Sequence, residues 1–135
     1  MRRILFGLLL ALAVPVAVGA VGPVYSPATC KLTWTAPTKN ADGTPLTDLA
    51  AYRMYIGTAS GVYPATPTAT IPAPNAAPAP NTPVSWICTA LSDGQKNATV
   101  RAVDLAGNEA APSNEFFFVF DAVKPAGVTD LQGSP

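Results

Sequence analysis

Cys30 and Cys88 are the only thiols in a chain of 135 residues that contains no histidine. Without histidine, the commonest general base and the commonest metal ligand are both missing. No serine sits in a Gly-x-Ser-x-Gly elbow, so an esterase-type nucleophile is not indicated. The eight acidic residues are scattered through turns and tails, where solvation accounts for them without a glycosidase pair. Asp104, Asn108 and Glu109 place three oxygen ligands in one loop. Calcium takes about six to eight, and the Gly-Asn turn already has a structural reason. Asn97-Ala98-Thr99 has the pattern of a glycosylation sequon, a triplet that also arises often by chance. These residues assign no catalytic group, no metal ligand and no cofactor. What they leave is one pair of thiols suited to a disulfide in an oxidising compartment.

The rest of the composition narrows the class. Eight basic residues balance eight acidic ones, which argues against a nucleic-acid partner, because such binders carry a clustered basic face. Fifteen prolines argue against a helical bundle. Met1-Arg2-Arg3 is followed by an almost continuous apolar run from Ile4 to Val18, and then by the small residues Gly19-Ala20. That layout predicts a secretory signal peptide over residues 1–20. The alternative is a retained anchor, but the run is shorter than the roughly 20 residues that span a bilayer, and Pro15 interrupts it. Cleavage would remove Arg2 and Arg3, leaving six basic and eight acidic groups and no membrane span. The expected location is secreted, periplasmic or cell-surface, where a Cys30–Cys88 disulfide is the default.

Positioning such a pair falls to strands. Cys30, Leu32 and Trp34 alternate with Lys31, Thr33 and Thr35, the period of a half-buried strand that Pro37 ends. Asn40 to Pro45 is turn chemistry. From Leu49 to Gly57, Tyr52, Met54 and Ile56 share one face and Arg53 and Tyr55 the other. Seven of the twenty residues 64–83 are proline, which reads as an extended, polyproline-like surface loop: a mobile excursion, or an edge lying against the body. Val84-Ser85-Trp86-Ile87-Cys88, Ala98 to Asp104 and Glu115 to Phe120 are further strands. Short strands punctuated by Gly, Pro, Asn and Asp imply an all-β sandwich or barrel.

Three stretches resemble a fibronectin type III domain of the bacterial exported type. They are Leu32-Thr33-Trp34-Thr35-Ala36-Pro37, with the family's core tryptophan; Asp42 to Tyr55, including Asp42-Gly43-Thr44-Pro45; and Val100 to Ser113, including Asp104-Leu105-Ala106-Gly107-Asn108. The resemblance spans about Lys31 to Phe120. It implies an immunoglobulin-like, seven-stranded β-sandwich over residues 21–121, with strands A, B and E facing C′, C, F and G. Cys30 and Cys88 would then sit at facing ends of neighbouring strands B and E, a bond most of the family lacks. Lys96-Asn97-Ala98 stands where the family has a tyrosine, so its corner hydrogen bond is expected to be missing. The first strand is weakly marked, with Pro23 inside Val21 to Tyr25. In the tail, residues 122–135, Lys124 to Leu131 resembles the opening of another such domain.

The resemblance and the alternation together direct attention to the outer side of the C′–C–F–G sheet. Tyr55, Val103, Phe117 and Val119 are expected there, flanked by Arg53 and Arg101, as a candidate partner-binding face. The competing expectation is that the proline loop or the tail covers them. The family is a scaffold, so function is read as non-catalytic binding or adhesion to a protein or cell-surface polymer. Two alternatives stand beside it. One is self-association by strand addition, through the weak first strand, the Phe116–Phe120 edge and the tail. The other is accessory carbohydrate binding on Tyr55, Tyr63 or Trp86.

Overall fold

Alternating apolar and polar residues become strands, each with one face turned inward. A computed structural model describes residues 22–133; the proposed signal peptide lies outside them. The described residues form seven strands: Val24–Tyr25 (β1), Lys31–Thr35 (β2), Leu49–Gly57 (β3), Ala69–Pro72 (β4), Pro83–Ile87 (β5), Gly94–Asp104 (β6) and Phe116–Phe120 (β7). One sheet has the order β1-β7-β6-β3-β4, and β2 and β5 form the second. Leu32 and Trp34 of the small sheet pack on Met54, Ala98 and Phe118 of the large one, so the arrangement is a two-layer sandwich. No helix of the described residues is long and apolar enough to cross a membrane.

The core follows the sequence phase. Leu32, Tyr52, Met54, Val84, Ala98, Phe118 and Phe120 are buried. Full burial of a phenylalanine is worth about 1.5–3 kcal/mol, so Phe118 and Phe120 are major contributors. Trp34 meets Tyr52 edge-on, with ring centroids 5.2 Å apart. Such a pair adds roughly 0.5–1.5 kcal/mol to the area it buries. Cys30 and Cys88 lie just beyond the β2–β5 ladder, whose last pair is Lys31–Ile87. The Cys88 N–H donates to the Cys30 carbonyl at 3.0 Å. Their sulfurs are bonded, with Cα atoms 5.3 Å apart. The disulfide thus pins the open end of a two-stranded ribbon.

The structure revises one expectation, decides between two alternatives in a second, and adds to a third. First, β1 is not in the sheet of β2 and β5. It pairs in parallel with β7, Val24 opposite Val119 and Tyr25 opposite Phe120. Second, the proline-rich segment 64–83 contains β4, antiparallel to β3 with Ile71 opposite Tyr52. An edge position tolerates the proline, because one side of β4 needs no ladder donor. Ile71 packs against both halves of the core, so the segment is tied to the body. Third, the corner bond expected to be missing has a substitute. Lys96 is only 3% exposed. Its ammonium donates to the Asp93 carbonyl at 3.2 Å and to Ser92 Oγ at 3.4 Å, closing the turn between β5 and β6. Beyond β7, residues 122–133 form no strand and leave Val128 82% and Leu131 92% exposed.

Candidate functional site

The outer face of the large sheet is built by β3 and β6. Their register sets Arg53 opposite Arg101 and Tyr55 opposite Thr99. Two like charges directly across a ladder repel. Glu109 offsets this: its Oε2 lies 3.4 Å from an Arg53 guanidinium nitrogen, and its Oε1 accepts from the Tyr55 hydroxyl at 2.7 Å. The Arg101 guanidinium sits over the Tyr55 ring, 5.7 Å from its centroid. Each of these contacts is partly solvated and worth about 1 kcal/mol or less. Their effect is chiefly to fix the Tyr55 ring.

Glu109 reaches this position through a tight turn after β6. Gly107 adopts φ +89°, a left-handed conformation that suits glycine. Gly107 N–H donates to the Asp104 carbonyl at 3.0 Å. The Asp104 carboxylate accepts from the Asn108 N–H at 2.8 Å and from Asn108 Nδ2 at 2.7 Å, and the Asn108 bonds hold Asp104 below the usual carboxylate range. The return segment then runs beside β6: Ala110 N–H bonds Ala102 O and Ser113 N–H bonds Val100 O. The three oxygen groups considered for calcium therefore have separate duties. Asp104 and Asn108 shape the turn, while Glu109 faces Arg53 and Tyr55.

A second tyrosine–carboxylate pair lies beside the first. Tyr63, in the connection from β3 to β4, donates its hydroxyl to Glu115. Glu115 Oε2 also accepts from the Gly61 N–H at 2.8 Å. Burial, and then the bond to Glu115, push the Tyr63 phenol up to about 12. The same bond, with that from Gly61, holds Glu115 below the usual carboxylate range. The Tyr55 phenol is raised, first by its hydrogen bond to Glu109. Tyr55, Tyr63, Arg101 and Glu109, with Pro64 and Thr99, line an open cleft of about 390 Å³.

The expected face is only partly assembled. Arg53, Tyr55 and Arg101 come together. Val103 does not join them as an exposed residue: it is 5% exposed, with Glu109 bridged to it on the return segment. Phe117 and Val119 are half-buried on the β1 side of the sheet. Gly22 packs against the Phe117 ring so closely that a Cβ there would lie 2.4 Å from it, and Val24 pairs with Val119. Gly22 thus lies against the Phe117 ring, and Pro64 and Ala65 of the proline-rich segment border the cleft at Tyr55. Trp86, weighed as a stacking platform, packs against the core instead. Asn97 of the sequon is 2% exposed inside β6, so the folded chain covers its amide. Glu109 and Glu115 escaped the sequence reading as partners of tyrosines, because 54 and 52 residues separate them from Tyr55 and Tyr63. Only the hairpin register carries that signal. Comparison with protein-family models, curated proteins and solved structures finds no match to this chain.

Proposed function

We propose that this chain is an exported, non-catalytic binding module of the fibronectin type III kind, which holds a protein or cell-surface polymer at the Tyr55–Tyr63 cleft. One observation carries the reading: two tyrosine rings, each held by its own carboxylate, share an open cleft on a sheet face with a guanidinium. Rings already ordered lose little freedom on binding, and tyrosine and arginine are the side chains that dominate recognition surfaces. Support for export is the leader-like pattern of residues 1–20 together with the Cys30–Cys88 disulfide. Support for the family is the two-layer sandwich and the strand pattern that the three matching stretches imply.

Accessory carbohydrate binding is favoured by a specific detail, the presence of both candidate platform tyrosines in one cleft. The test is a binding screen of the chain against arrayed polysaccharides and surface-extracted proteins, followed by Tyr55→Ala and Arg101→Ala. Each substitution should weaken binding about tenfold or more while leaving the fold intact. Binding that survives both substitutions would place recognition elsewhere; retention by polysaccharides alone would select the carbohydrate reading.

A further inference from the structure

We propose that the unpaired edge of β2 accepts, as an added strand, the tail segment 126–131 of a second copy of this chain. Among the described residues β2 has β5 on one side and no strand on the other. Cys30 accepts from Cys88 N–H at 3.0 Å, and Ala36 N–H donates to Thr82 O at 2.9 Å. Even-numbered residues therefore turn their backbone groups to β5. Ladder alternation leaves those of Lys31, Thr33 and Thr35 on the open edge. The edge is open because β1, which the family resemblance assigned to it, is bound to β7 instead. For the same reason the Phe116–Phe120 edge, considered from sequence, is not free.

Beside the open edge runs a groove of about 360 Å³ between the two layers. Tyr25, Leu32, Trp34, Met54, Val100 and Phe116 give it an apolar floor, with Phe116 exposed. An edge next to such a groove takes an extended segment through backbone bonds and inserted side chains. The tail fits. It has no strand partner, and its Val128 and Leu131 are almost wholly in solvent. It also carries Asp130, the opposite charge to Lys31 on the edge. In a regular strand Val128 and Leu131 point to opposite faces, so one enters the groove and the other does not.

A second copy is the donor because, within one chain, no residue of 122–133 pairs with β2 or lines the groove. Ala122 N–H donates to Asp93 Oδ1 at 2.6 Å, and Val123 N–H to Asp121 Oδ1 at 3.0 Å. These bonds, with that from Asp121 N–H to Tyr25 O at 2.9 Å, fix the tail's start between β1 and the turn that opens β6. Donor and acceptor surfaces differ, so the contact is heterologous and propagates head to tail. It uses a different face from the Tyr55–Tyr63 cleft, and the two proposals stand or fall separately.

The test compares the chain with its Val128→Asp/Leu131→Asp variant by light scattering over a rising concentration series. The unaltered chain should at least about double its weight-average mass, and the variant should stay monomeric. A synthetic peptide of residues 122–133, added to the variant, should then shift the amide resonances of Lys31, Thr33 and Thr35. Assembly that persists in the variant, an unaltered chain that stays monomeric at millimolar concentration, or peptide shifts confined to β7 would each overturn the proposal.

Discussion

Replacing Cys30 and Cys88 together by alanine tests what holds the smaller sheet. The bond closes a loop with a sequence separation of 58. In the chain-entropy treatment, closing a loop of that length removes about 14 cal/mol/K from the unfolded ensemble, or about 4 kcal/mol at 25 °C. For a domain of this size that corresponds to a fall in Tm of roughly 15–25 °C. The loss should also be local in the native state. The β2–β5 ribbon has five residue pairs and no third strand, and two-stranded ribbons are marginal alone. Urea unfolding of the double variant against the parent measures the global term, and amide exchange measures the local one. Protection should fall first in β2 and β5, and remain in β3 and β6. A loss under about 1 kcal/mol, with β2–β5 exchange unchanged, would show that packing of Leu32 and Trp34 suffices without the bond.

Lys96→Ala should cost about 1–3 kcal/mol in urea unfolding, because it strips the turn carbonyl and hydroxyl of a charged donor; a change within about 0.5 kcal/mol would mean that solvent replaces it. Acid should act through Glu115. Its carboxyl is held below its ordinary value of 4.5, so its contribution to stability is present above that pH and is lost as pH falls through the lower folded value. The unfolding midpoints of the parent and of Glu115→Gln should therefore converge on acidification, and midpoints that stay parallel would remove the Tyr63–Glu115 bond from the account.

Much of the sandwich is legible in the sequence because burial on one strand face leaves a period of two. Cys30, Leu32 and Trp34 face inward as their alternation requires, as do Tyr52 and Met54. Partnership is less legible, because a strand's neighbours are chosen by distant register. Nothing local in Val24-Tyr25 says that β1 joins β7 in parallel. The prolines of 64–83 conceal β4, since a rule about central strands does not bind an edge. The candidate face shows both outcomes. Arg53, Tyr55 and Arg101 follow from strand phase alone. Val103 has the same phase but is buried, bridged to the return after β6, whose path depends on the Asp104–Asn108 turn. Lys96 reads as a departure from a family pattern, and only the fold reveals that its ammonium closes the same corner by other bonds.

The parallel pairing of β1 with β7 bears on how the domain responds to force. The chain enters β1 at one end of the pair and leaves β7 at the other. Tension applied between Gly22 and Asp121 therefore pulls the two strands along their length in opposite directions. The bonds from Val119 N–H to Pro23 O and from Asp121 N–H to Tyr25 O, both 2.9 Å, are then loaded together in shear instead of opening one after another. A terminal strand set in the other sheet, beside β2, would not couple the two ends through one ladder. The fold thus behaves as a mechanical clasp at its termini, while β2 and β5 lie off the line of load.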